Sequence, residues 1–128
     1  MTITLNQFRI LCALVSFGTP AFANDITPFL GTWGTETQCS KSLISPSGTK
    51  RAAPFEIKSD WLNHDGIWCR LNWSSVGSNQ NGMYAINHSI CGEDDARNYH
   101  IKFDLTDDQL TIVWDHWHAN GPLMRCTG

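Results

Sequence analysis

In "NYHIKFDL", residues 98–105, the apolar Tyr99, Ile101, Phe103 and Leu105 alternate with polar residues, and Leu110, Ile112 and Trp114 do the same in "QLTIVWDHWH", 109–118. Alternation with a period of two marks a strand that buries one face. The intervening "TDDQ" reads as a hairpin turn. Closing it pairs Leu105 with Leu110, then Phe103 with Ile112, Ile101 with Trp114 and Tyr99 with His116, with His118 following opposite Arg97. Every apolar residue up to Trp114 meets an apolar partner, and a slip of one position would turn all of them outward. On the other face His100 comes opposite Asp115.

Two further hairpins are legible. Asp65-Gly66 is a two-residue turn signal between "WLNH" and "IWCRLNWSSV", and "SNQNG", 78–82, turns the chain into "MYAINHSIC". A turn centred near Gln80 sets Cys69 opposite Cys91. The faces then conflict. Ile67, Leu71 and Trp73 share a face with Cys69, but Tyr84, Ile86 and Ile90 lie on the face opposite to Cys91, so either a β-bulge in the second strand reconciles them or the pairing is wrong. No stretch repeats with the helical period, and turn signals recur throughout. The chain therefore reads as all-β, with strands near 31–36, 53–58, 60–64, 67–76, 83–91, 98–105, 109–117 and 122–127. Seven to eight short antiparallel strands suit a small barrel. "SKSLISPSGTKRAAP", 40–54, is the one long surface loop.

The first 23 residues stand outside that pattern. Arg9, the apolar run "ILCALVSF" and the ending Ala21-Phe22-Ala23 together read as a secretory signal peptide cleaved after Ala23. That leaves one domain, 24–128, in the periplasm or outside the cell. Cys12 lies inside the apolar run, which excludes a lipid anchor at the cleavage point. The cysteines that remain are Cys39, Cys69, Cys91 and Cys126. An even number in a small exported domain implies two disulfides, and no C-x-x-C pair starts a zinc site. With Cys69–Cys91 favoured by the turn, Cys39–Cys126 ties the first strand to the last. The chain carries a formal charge of −3, with no basic stripe for nucleic acid and no basic amphipathic segment for a membrane surface. Mild acidity suits a basic protein partner.

Gly31-Thr32-Trp33 opens the first strand. This G-x-W resembles the start of lipocalin-like barrels, whose tryptophan plugs one end, and the resemblance makes Trp33 the barrel plug. The length of 24–128 is similar to that of the compact barrels bacteria export, among them the periplasmic inhibitors of secreted metalloproteases. Those carry an N-terminal arm that reaches into the protease, whereas only "NDITPFL" precedes Gly31 here. Size, acidity and disulfides also resemble the exported inhibitors of c-type lysozyme. Their S-G-x-x-Y signature is not matched, since "NGMY" has a single residue between Gly82 and Tyr84.

Catalytic chemistry finds no foothold: neither G-x-S-x-G nor H-E-x-x-H occurs, and no cofactor motif is present. His116 and His118 alternate onto one face, but a third metal ligand is not evident, so no metal is assigned. The acidic turns "GEDD" and "DLTDD" lack the layout of a calcium loop. Six tryptophans are many for this length; Trp33, Trp73 and Trp114 fit the inward face, and Trp61, Trp68 and Trp117 the outward one. The register ends the apolar column in Tyr99, His116, His118 and Arg97, which is how a barrel mouth would look, with Trp117 beside it. These residues form the candidate binding rim. The function this predicts is binding without chemistry, with a protein partner such as a basic lysozyme or protease. The alternative is a carrier of a small apolar ligand.

Overall fold

The computed structural model describes residues 25–40 and 53–127; the signal segment and most of the long loop predicted at 40–54 lie outside them. Nine strands follow a short 3-10 turn at Thr27–Phe29: β1 Gly31–Gly34, β2 Phe55–Ile57, β3 Trp61–His64, β4 Ile67–Arg70, β5 Trp73–Asn79, β6 Gly82–Cys91, β7 Arg97–Thr106, β8 Gln109–Trp114 and β9 His118–Arg125. All pairings are antiparallel, in the order β4-β3-β2-β1-β9-β8-β7-β6-β5. A second pairing of β4 with β6 closes the sheet. The result is a closed eight-strand barrel with one additional strand, β5, lying along β6 beyond the end of β4.

The hairpin of β7 and β8 forms as the alternation dictates, with Leu105↔Leu110, Phe103↔Ile112 and Ile101↔Trp114 in register. Thr106↔Gln109 also pair, which leaves Asp107-Asp108 as a two-residue turn with φ of 51° and 60°. Beyond Trp114 the expected register fails. Asp115 and His116 adopt φ of 48° and 66°, and the Trp117 N–H donates to the Trp114 carbonyl at 3.1 Å, so the chain reverses there. His118 pairs with Trp114 in β9, while Tyr99 and Arg97 pair with Ser89 and Cys91 of β6. His116 therefore does not face Tyr99, and His118 does not face Arg97. Of the two left-handed residues only Asp115 is a habitual turn-former, and Asp-His is a far weaker signal than Asn-Gly or Asp-Gly. Residues 118–121, left between the predicted strands 109–117 and 122–127, belong to β9, beside the register shift between Leu110 and Ile112.

The predicted strand 67–76 is two strands, broken at Leu71 and Asn72. A bulge lies in β5, between Trp73 and Ser75, and not in β6, whose apolar Ile86 and Ile90 face outward while Cys91 faces in. Cys69 stands opposite Cys91 as the turn arithmetic required, and they are bridged, with Cα atoms 4.0 Å apart. Cys39–Cys126 is the other bridge, with Cα atoms 5.0 Å apart across 87 positions. The inward face of β6 is small and polar, with Ala85, Asn87, Ser89 and Cys91 buried, while Ile90 is half exposed.

One end of the barrel is shut by the Gly31-Thr32-Trp33 motif. Trp33 is 1% exposed, and its Nε1–H donates to the Phe29 carbonyl at 2.9 Å. The Arg125 guanidinium lies 4.2 Å above the Trp33 ring and donates to the carbonyls of Leu30 and Pro28 at 2.6 and 2.9 Å. That clamp fixes the 3-10 turn across the barrel end. Gly31 is required by it: at φ 132°, a Cβ there would meet Arg125 Nη1 at 2.6 Å. Phe29, Ile57, Ile101, Phe103, Leu110 and Ile112 fill the interior, each at 0% exposure.

Candidate functional site

The opposite end is open. Inward parity from the buried Leu62 carries His64 to the top of β3, just before the Asp65-Gly66 turn. There its ring stacks on Phe55 of β2, with centroids 3.8 Å apart and planes 11° from parallel. Across the mouth Tyr99 meets Trp114 edge-on at 5.9 Å, and the Trp114 indole N–H donates to Asn120 Oδ1 at 2.8 Å. That bond holds the indole of β8 against β9. Trp117 and His118 complete the ring, with centroids 5.4 Å apart.

These side chains, with Ile67, surround a pocket of about 320 Å³ floored by Leu62 and Cys91. Its lip is apolar and wet: Trp117 is 78% exposed and Ile67 56%. The polar groups at the mouth include two imidazoles, the Tyr99 hydroxyl and the Asn120 amide, and no carboxylate lines it among the described residues. His64 Nε2 is buried without a hydrogen-bond partner among the described residues. Burial pushes the His64 pKa below the ordinary histidine value, against the Asp65 carboxylate and a hydrogen bond to Ala53, which raise it. Deeper in the barrel, Asn87 and Ser89 are buried with side-chain polar atoms that also lack partners.

Of the rim residues expected from the sequence, Tyr99, Trp117 and His118 come together at the mouth. Arg97 is exposed at the start of β7 and does not line the pocket. His116 is turned to the outer wall, where its ring stacks on His100 at 4.2 Å. Phe55, His64, Ile67 and Asn120 belong to the mouth although the sequence reading passed over them. The signal for His64 was present, because it shares a face with Leu62 in "WLNH".

No family model, no curated protein and no solved structure matches this chain. The site must be read from its own chemistry. Among the described residues no group of three or more His, Cys, Asp or Glu side chains is arranged to hold a metal ion. No helix among them is long and apolar enough to cross a membrane. Two disulfides indicate an oxidising, non-cytoplasmic compartment.

Proposed function

We propose that this is an exported, non-enzymatic binding protein that recognises another protein through the barrel mouth. The observation that carries the reading is the lip itself, an indole at 78% exposure and an isoleucine at 56% around an aromatic pocket. Large apolar groups held in water beside a preformed concavity are the usual material of protein interfaces, and tryptophan is the residue most enriched at their energetic centres. About 320 Å³ lies at the small end of ligand-binding cavities. With Leu62 and the Cys69–Cys91 bridge as floor, the pocket has room for one side chain of a partner and none for a long acyl tail. The formal charge of −3 favours a basic partner, such as a lysozyme or a secreted protease.

The test is a panel of basic lysozymes and secreted proteases titrated against the oxidised protein by calorimetry and by activity. Binding at micromolar concentration or better, weakened at least tenfold by Trp117→Ala, is the expected result. No complex with any member, together with saturable uptake of a small aromatic compound such as indole, would replace this reading by that of a small-ligand carrier.

A further inference from the structure

The turn that delivers Trp117 to the lip is tied to the outer wall of the barrel. Asp115 and His116, neither of them glycine, both have positive φ, at 48° and 66°. Aspartate and histidine enter this region more readily than most residues, as Asp107-Asp108 do in the β7–β8 turn, and at the β8–β9 turn packing fixes them further. Three contacts do so, and all are made with one residue of β7. The Asp115 N–H donates to the His100 carbonyl at 2.8 Å, and the His100 N–H donates to Asp115 Oδ1 at 2.7 Å. The His116 ring then stacks on the His100 ring, 4.2 Å between centroids and 29° between planes. From the other side His88 of β6 meets His100 edge-on at 5.5 Å.

Three imidazoles thus stand in a row on the outer wall, with the middle one braced against the turn. The charged groups that face them are few. Among the described residues Asp115 is the carboxylate that acts on the His100 ring, its Oδ1 bonded to the His100 backbone N–H, and Lys102, the next outward residue of β7, is engaged with Asp104 at 3.4 Å. One proton on the row is balanced by Asp115. A second has no counter-charge and sits one ring away from the first.

We propose that the His88–His100–His116 row is a pH latch on the mouth: neutral rings hold the β8–β9 turn closed, and protonation at mildly acidic pH releases it and withdraws Trp117 from the lip. The proposal concerns regulation of the mouth and rests on the reading of that mouth as the binding site. Burial, then the neighbouring His116 and His88, push the His100 pKa below the ordinary value of 6.5, with Asp115 opposing. The released turn takes up protons more readily than the latched one. The latch is therefore closed above the ordinary histidine value and opens as pH falls below it.

The experiment is an NMR titration of the full oxidised chain from pH 7.5 to 5, following the histidine rings, the Trp117 indole N–H and the Asp115 and His116 amides. The Trp117 and turn signals should move together with the His100 ring, with a midpoint below 6.5. In His100→Phe, which keeps a ring for His116 to stack on but takes up no proton, the part of the Trp117 response that moves with the turn amides should vanish, leaving only what the neighbouring His118 ring imposes. His116→Asn tests the same point without touching β7, since asparagine tolerates positive φ, and it should also remove that part of the Trp117 response. A Trp117 signal that is flat in the wild type, or that titrates unchanged in both variants, overturns the latch. None of these readouts needs a partner, so a latch that fails here leaves the mouth reading standing, and an empty binding panel leaves the latch standing.

Discussion

Arg125 pins the closed end from outside the core, and nothing in its neighbourhood announces it. Its guanidinium covers the Trp33 ring and donates to two carbonyls of the 3-10 turn, one of them 95 positions away. The tryptophan was legible because G-x-W is a local pattern; its partner was not, because a contact across the whole chain leaves no spacing to read. Arg125→Ala should lower stability by about 2–3 kcal/mol in urea unfolding, from a lost cation–π contact and two charge-assisted hydrogen bonds. Lysine at the same position should restore less than half, since it lacks the planar fork. His64 makes a second prediction at this scale. Its pKa is depressed in the folded chain by burial, so its contribution is complete above 6.5 and is lost as pH falls through the folded value. The melting temperature should drop between pH 7.5 and 5.5. His64→Phe should make that drop smaller without abolishing it, because His100 is depressed as well.

Strands with clean alternation could be placed residue by residue; strands that break it could not. The β7–β8 register held from Leu105 to Trp114 because each inward residue is large and apolar. In β6 the apolar Ile86 and Ile90 point outward, and the buried positions are Ala85, Asn87 and Ser89. The sequence recorded this only as a conflict between faces, because hydropathy alone cannot show that the small, polar face of β6 is the buried one. A consequence follows for substitutions. Phe103→Ala, at the centre of the packed interior, should cost about 3–5 kcal/mol. Ile86→Ala should cost about 1 kcal/mol or less, although hydropathy alone ranks the two residues together. Ala85→Leu should destabilise more than Ile86→Ala, because it forces a larger side chain into a position that is 0% exposed. Urea midpoints of the three variants decide the matter, and the reverse order would mean that β6 is inverted. The β8–β9 turn was illegible for a different reason: its two left-handed residues are held by contacts with His100, which local turn chemistry cannot report.

At the scale of the whole molecule, the two bridges close different things. Cys39–Cys126 joins the turn after β1 to the residue after β9 across 87 positions; both cysteines are partly exposed, and neither lines the mouth. Cys69–Cys91 spans 22 positions, is buried, and joins the two strands whose pairing shuts the ring beneath the mouth. On the chain-entropy argument the long bridge contributes about 4–5 kcal/mol and the short one about 3 kcal/mol. Their roles in binding run the other way. A mild reductant should open Cys39–Cys126 first, because it can reach those sulfurs, and the urea midpoint should fall while the Trp117 environment stays as it was. Replacing Cys69 and Cys91 by alanine should leave a smaller stability loss on entropy grounds, yet it should disturb Trp117 and Tyr99, because the floor of the pocket and the β4–β6 closure go together. Thiol mapping after graded reduction, read against Trp117 and Tyr99 resonances in the same samples, separates the two. A mouth that loosened on opening Cys39–Cys126 alone would show that the turn after β1, and not the β4–β6 closure, shapes the lip.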